Sequence, residues 1–302
     1  MRLTSKSIPE KMTFSAIFND FKQLTKVGLS LSVVFSSLAG YLLAVEKIDI
    51  SILILLAIGG YLMVGASNAF NQIIEKDTDA LMKRTMNRPL PAGRMHVSMA
   101  MVIAVSFTII GLAILYSINP KSALFGAISI FLYTSIYTPL KAVTPLSVFV
   151  GAIPGAIPFM LGWVAATNAF SIEPGMLFLI QFFWQFPHFW AIAWLLHEDY
   201  QRAGFKMLPT GARDQATAFQ IVFYSLWTLI ISILPVFKFT GLLTLSLPGA
   251  MAIFALGLFL IYGAIQLMQQ KTEAAALKLM RISIIQISLL QLIYVLDKIF
   301  IQ

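Results

Sequence analysis

Two stretches of the sequence concentrate side chains able to hold a metal ion and an anion. The first runs Asn68-Ala-Phe-Asn71-Gln-Ile-Ile-Glu75-Lys-Asp-Thr-Asp79, with Asn71, Glu75 and Asp79 at i, i+4 and i+8. On a helix of about 3.6 residues per turn each step of four drifts by roughly 40°, so the three side chains share one stripe and can converge on a single ion. Hard oxygen donors without sulfur favour Mg²⁺, which keeps several waters and binds through a few carboxylates plus substrate phosphates. Lys83, Arg84, Arg88 and Arg94 come soon after in the chain. They supply the cations a diphosphate requires, arginine through bidentate contacts.

The second stretch is Phe182-Phe-Trp184-Gln185-Phe-Pro187-His188-Phe-Trp190, continued by His197-Glu198-Asp199-Tyr200. Asp199 lies eleven residues after His188, nearly three turns, so a continuous helix puts both on one face, with a kink expected at Pro187. His188 is either a ligand contact or the partner of a backbone group that Pro187 frees. A third segment, Tyr137-Thr-Pro-Leu-Lys141, adds one more cation.

The elements that must position these groups are membrane helices. The chain has 302 residues, 59% hydrophobic and 11% charged, with mean hydropathy +0.85. That is far from the roughly 25% charged of soluble domains. A bilayer core takes about 20 apolar residues per helix, and the long apolar runs predict nine spans near 27–45, 51–72, 97–117, 122–138, 145–167, 176–196, 216–237, 242–268 and 279–300. We therefore expect an all-α polytopic membrane protein. Residues 1–26 form an N-terminal interfacial segment with helix-spaced Met12, Phe14, Ile17, Phe18 and Phe21, and 27–302 form a single transmembrane domain. Spans 2 and 6 carry the two acidic loops and lie four helices apart. This predicts two four-helix pseudo-repeats plus a ninth helix, around a central cavity between the halves.

The net charge of +8 is distributed for membrane orientation rather than for nucleic acid. With the N-terminus inside, every one of the 21 basic residues except Lys47, Lys121, Lys238 and Lys298 falls on the inner side, which fixes the N-terminus in and the C-terminus out. Both acidic loops then face the cytoplasm. There is no cysteine, so disulfides and Cys-ligated metals are excluded. The Gly and Pro residues of span 5, Gly151, Pro154, Gly155, Pro158 and Gly162, suit close helix packing and are assigned no chemistry.

Taken together, these segments resemble the UbiA-type intramembrane prenyltransferases, and among them those that farnesylate haem b. The resemblance rests on Asn71 through Asp79 with its continuation Met82-Lys83-Arg84-Thr85-Met86-Asn87-Arg88-Pro89, and on Tyr137-Thr-Pro-Leu-Lys141. It also rests on Gly151-Ala-Ile-Pro-Gly155-Ala-Ile-Pro158, on Trp184-Gln-Phe-Pro-His188, and on Asp199-Tyr-x-x-Ala-Gly204 with Met207-Leu-Pro209. Two positions depart from the pattern. Glu75 stands where many members have Asp, and Ala142 where many have a second base after the lysine.

The resemblance implies transfer of a farnesyl group from farnesyl diphosphate to a vinyl group of haem b with addition of water, giving haem O. It implies that Asn71, Glu75, Asp79 and Asp199 hold Mg²⁺, with Lys141 in the catalytic set. Arg84, Arg88, Lys83, His188 and Tyr137 then contact the substrates. It further implies a bacterial inner-membrane location and, as partners, haem A synthase or terminal oxidase assembly proteins. The rival readings are a prenyltransferase acting on a quinone or chlorophyll precursor, and a secondary transporter. The Trp-Gln-Phe-Pro-His run speaks against the first. The gathering of charge at one face, rather than mid-membrane, speaks against the second.

Overall fold

The computed structural model describes residues 14–301; Arg2, Lys6, Lys11 and Met12 of the expected interfacial segment lie outside them. Among the described residues the chain is helical, and nine helices are long and apolar enough to cross a membrane. A first amphipathic helix, α1 (Phe14–Thr25), exposes Phe14 and Phe18 and buries Asp20 and Leu24. The spans are α2 (Val27–Ala44), α3 (Ile50–Ile74), α5 (Val97–Ile118), a fourth running Pro120–Leu140, α8 (Ser147–Thr167), α9 (Ile172–Leu195), one running Gln215–Phe237, α12 (Leu247–Gln270) and α13 (Glu273–Phe300). The fourth comprises α6 (Pro120–Phe131), a π-helical turn (Leu132–Tyr137) and α7 (Thr138–Leu140), while α11 (Gln215–Ile233) makes up most of the seventh. Two short helices, α4 (Lys76–Asp79) and α10 (His197–Arg202), complete the set.

Side-chain caps set several of the helix ends. Asp49 Oδ1 accepts from Ser51 N at 2.8 Å, Asn119 Oδ1 from Ser122 N at 2.8 Å, and Asp214 Oδ1 from Thr217 N at 2.8 Å. Each satisfies a donor that the first helical turn leaves open. The eighth span starts at Leu247 rather than 242 because Ser246 Oγ caps it through Gly249 N at 3.1 Å. The ninth starts at Glu273 rather than 279 because Thr272 Oγ1 accepts from Ala275 N at 3.2 Å. Polar caps lie outside the apolar run, so hydropathy alone places these starts several residues off.

The halves α2–α3–α5–α6 and α8–α9–α11–α12 repeat one plan. In each, the second long helix stops at a residue that leaves helical dihedrals and a short helix comes next: Glu75 (φ −91°, ψ 11°) precedes α4, and Leu196 (φ −100°, ψ 20°) precedes α10. The first helices of the halves, α2 and α8, touch backbone to backbone. A Cβ on Gly40 would strike the Phe159 carbonyl oxygen, and one on Gly162 the Ser37 carbonyl oxygen. Small residues allow this approach where lipid offers no hydrophobic drive. The ninth span, α13, packs against α2, α9 and α12 and closes the bundle. At the end away from the acidic loops, Lys298 Nζ donates to the carbonyls of Leu42, Leu43 and Val45 at 2.8–3.2 Å, so this base serves as a cap on α2.

Candidate metal and anion site

The stripe expected at Asn71, Glu75 and Asp79 is bent but intact. Although α3 ends at Ile74, Glu75 N donates to Asn71 O at 2.9 Å and Asp79 N to Glu75 O at 2.7 Å. The i→i+4 ladder is therefore carried across the break. Glu75 and Asp79 are buried at this end of the bundle, 6% and 0% exposed. Each faces a base: Lys141 Nζ donates to Glu75 Oε1 at 2.8 Å, and Arg88 to Asp79 Oδ2 at 2.6 Å. Asn71 Nδ2 donates to Thr138 Oγ1 at 3.3 Å.

Lys141 and Tyr137 reach this cluster through the π turn. Thr138 N and Oγ1 both point back to Tyr133 O, the latter at 2.8 Å. The extra residue in the turn re-aims the segment from Thr138 to Lys141, a common device at functional sites. Lys141 Nζ lies 4.5 Å above the Tyr137 ring. The ring itself occupies the space left by Gly151, where a Cβ would come within 2.7 Å of it. Burial pushes the Lys141 ammonium down, but the Glu75 carboxylate together with Tyr133 and Tyr200 more than offsets this and holds it above the ordinary lysine value.

Asp199 does not join the other acids around one point. Its Oδ1 accepts from Lys83 N and its Oδ2 from Arg84 N, both at 3.3 Å, and it pairs with Arg202. Desolvation pushes this carboxyl up, but Arg202 and the two backbone N–H groups hold it below the usual carboxylate range. Asp199 thus ties α10 of the second half to the loop of the first half that carries Arg84 and Arg88. The Lys83 and Arg84 side chains are exposed. What Lys83 brings to this cluster is its backbone N–H.

His188 lies in α9, which continues through Pro187 to Leu195. Its partner is a side chain: Nδ1 lies 2.8 Å from Ser283 Oγ on α13. The alternative, that it serves a carbonyl freed by Pro187, is not what the fold uses.

Two features of the site were not among the sequence expectations. Lys26, assigned to the interfacial segment, sits at the joint of α1 and α2 in a left-handed conformation, φ 47° and ψ 58°. Such a conformation in a residue with a Cβ costs about 1–3 kcal/mol unless its surroundings over-determine it. Here the surroundings do. Gln72 Nε2 donates to Leu24 O at 2.8 Å and Gln23 O at 3.0 Å, Asn68 Nδ2 to Thr25 O at 3.4 Å, and Ser30 Oγ to Thr25 O at 2.8 Å. Burial, with Arg88, Lys141 and Arg84 nearby and only Glu75 opposing, pushes the Lys26 ammonium down to about 7. Among the described residues that ammonium has no hydrogen-bonding or ion-pair partner, the nearby acids being taken by Arg88 and Lys141. The second feature is the clamp of Arg94 on Asp20, 2.9 Å, which ties α1 to the same loop. A polar Asn-x-x-x-Gln pair on an otherwise apolar helix was the available signal for the joint.

The donor set suits a divalent cation. Asp79 Oδ1 is buried and has no hydrogen-bond partner among the described residues, a costly state for a carboxylate oxygen. Burial raises the Asp79 pKa against the pull of Arg88, a penalty a bound cation would relieve. Among the described residues no three acids or histidines stand ready around a single point. Glu75 and Asp79 each take a base as partner, Lys141 and Arg88.

A sequence profile described as the UbiA prenyltransferase family matches residues 33–289. A protoheme IX farnesyltransferase of Christiangramia forsetii is 64% identical over 284 residues, 94% of this chain and 95% of that one. One of Flavobacterium psychrophilum is 64% identical over 286 residues, again 94% and 95%. Among solved structures, one described as digeranylgeranylglyceryl phosphate synthase superposes with TM-score 0.76 at 19% identity, covering 93% of this chain and 98% of that one. A UbiA homologue from Archaeoglobus fulgidus bound to DMAPP and Mg²⁺ superposes with TM-score 0.65 at 16% identity, covering 89% and 99%.

Proposed function

The chain belongs to the UbiA prenyltransferase family, and on that premise we propose that it transfers a farnesyl group from farnesyl diphosphate to a vinyl group of haem b, with addition of water, to give haem O and diphosphate. It is an integral membrane prenyltransferase, and in this reading its activity depends on Mg²⁺. The names of its full-length relatives support haem as acceptor over a quinone precursor. The observation that carries the chemistry is the crossed pairing at the bundle end: Glu75 with Lys141, Asp79 with Arg88, and one Asp79 oxygen left over. Acids and bases stored against each other can separate onto a cation and an anion when both arrive together.

In this reading Asn71, Glu75 and Asp79 hold Mg²⁺. The ion, when bound, supplies Lewis-acid stabilisation of the departing diphosphate. Arg84, Arg88 and Lys141, the last two released from their acids, neutralise the diphosphate oxygens as negative charge develops. Asp199 acts through the loop it anchors, holding Arg84 and Arg88 in reach. The aromatic run Phe182–Trp190 of α9 offers rings suited to shield an allylic cation from water and to face it with π-density. By the placement of basic residues, the site faces the cytoplasm of a bacterial inner membrane.

Purified enzyme given haem b, farnesyl diphosphate and Mg²⁺ should yield a haem heavier by farnesyl plus water on mass analysis. Haem recovered unmodified under conditions where the diphosphate is consumed would overturn the acceptor.

Lys26 is the fourth cation of this site. A charge-assisted contact to an anionic oxygen contributes roughly 1.5–3 kcal/mol, so Lys26→Met should raise KM for farnesyl diphosphate on the order of 10–100-fold and leave KM for haem nearly unchanged. Steady-state kinetics with each substrate varied in turn would test this. A rise confined to haem would move Lys26 to the acceptor.

A further inference from the structure

His188, Ser283 and Trp184 form a polar island inside an apolar bundle, and its hydrogen bonds have a direction. Ser283 Oγ lies 2.7 Å from Met280 O, to which it donates, and 2.8 Å from His188 Nδ1. A hydroxyl has one proton to give. Both contacts are hydrogen bonds in only one arrangement, with Ser283 donating to the carbonyl and His188 Nδ1–H donating to the hydroxyl. The neutral ring then carries its bare lone pair on Nε2.

The ring is also fixed in plane. Trp184 stacks on it at 4.7 Å between centroids and 16° between planes, and Trp184 Nε1 donates to Ser283 O at 2.8 Å. One serine thus holds the histidine through its hydroxyl and the stacking indole through its carbonyl. His188 is only partly buried, and its Nε2 has no hydrogen-bond partner among the described residues. It sits seven residues before the end of α9, roughly 10 Å inward from the acidic end at 1.5 Å per residue. At that depth the lone-pair nitrogen lies within the apolar part of the bundle, inward of the charged end.

Building on haem b as the acceptor, we propose that His188 Nε2 is an axial ligand to the iron of the substrate haem, and that Ser283 is the positioning residue that fixes the ligating tautomer and ring plane. Metal-ligating histidines regularly donate their other ring N–H to an oxygen in this way. Ligation would seat the macrocycle at one depth and one centre, so that the vinyl edge, and not a propionate, meets the prenyl C1.

The test is a haem titration of the detergent-purified full-length enzyme, read by absorbance and electron paramagnetic resonance and paired with the farnesylation assay. Wild type should show a nitrogen-ligated haem. His188→Ala should lose that spectrum and bind haem on the order of 10²-fold more weakly, with added imidazole restoring the spectrum. His188→Met, which offers a thioether in place of the nitrogen, should give a different ligation spectrum. Ser283→Ala should keep the ligand but weaken haem binding about 10-fold, the scale of outer-shell substitutions at metal sites. A haem spectrum unchanged in both His188 variants, with turnover intact, overturns the ligand assignment and leaves the haem reaction standing. Absence of both haem binding and farnesylation in the wild type overturns the haem reading itself.

Discussion

Asp79→Asn is expected to reduce haem farnesylation by on the order of 10²–10³-fold, comparable to removing one preorganised group that stabilises developing charge. Asp79 is 0% exposed, one of its oxygens is bound to Arg88 and the other has no partner among the described residues. A purely structural carboxylate would have both oxygens satisfied, as Asp199 does. Asparagine preserves the shape and still offers Arg88 an acceptor. The backbone around it is held independently by Thr85 Oγ1 on Asp79 O at 2.8 Å. The fold should therefore survive while the resting affinity for Mg²⁺ falls. Initial rates across a Mg²⁺ titration, with size-exclusion behaviour as the control for folding, would decide it. Wild-type turnover at unchanged Mg²⁺ dependence would place the metal elsewhere.

The nine spans were legible because crossing a bilayer imposes about 20 apolar residues on each, a constraint the sequence cannot hide. The stripe Asn71, Glu75, Asp79 was legible for the same geometric reason, its spacing being that of helical turns. The break at Glu75 and its counterpart at Leu196 were not, since each needs only one residue to leave helical dihedrals and changes no periodicity. The kink was instead expected at Pro187, which α9 accommodates. Asp199 was expected beside a metal, but its oxygens face the Lys83 and Arg84 backbone. That contact joins residues more than a hundred positions apart and has no local signature. Lys26 was masked by its neighbours: a lysine just before an apolar run ordinarily marks the membrane interface. Only the clamps from Asn68 and Gln72 reveal that the chain turns inward there.

The Glu75–Lys141 pair offers a way to separate the structural share of this site from its chemical share. The two atoms are 2.8 Å apart, with side chains 7% and 10% exposed, so each charge depends on the other. Lys141→Met should destabilise the protein by about 3–5 kcal/mol, because it strands a buried carboxylate. The ammonium's folded-state pKa is raised, so its stabilisation is complete at neutral pH and is lost only as pH rises past the ordinary lysine range. Adding Glu75→Gln to Lys141→Met removes the stranded charge and should restore stability to within about 1–2 kcal/mol of wild type, since buried pairs are often replaceable by neutral groups. Turnover should not recover with it. The double variant lacks both a ligand for the cation and a partner for the diphosphate, and should remain as inactive as either single variant. Thermal unfolding and farnesylation measured on all four proteins of the cycle test this. Recovery of activity along with stability would mean that the pair only holds the helices together and that the diphosphate is bound by Lys26, Arg84 and Arg88 without it.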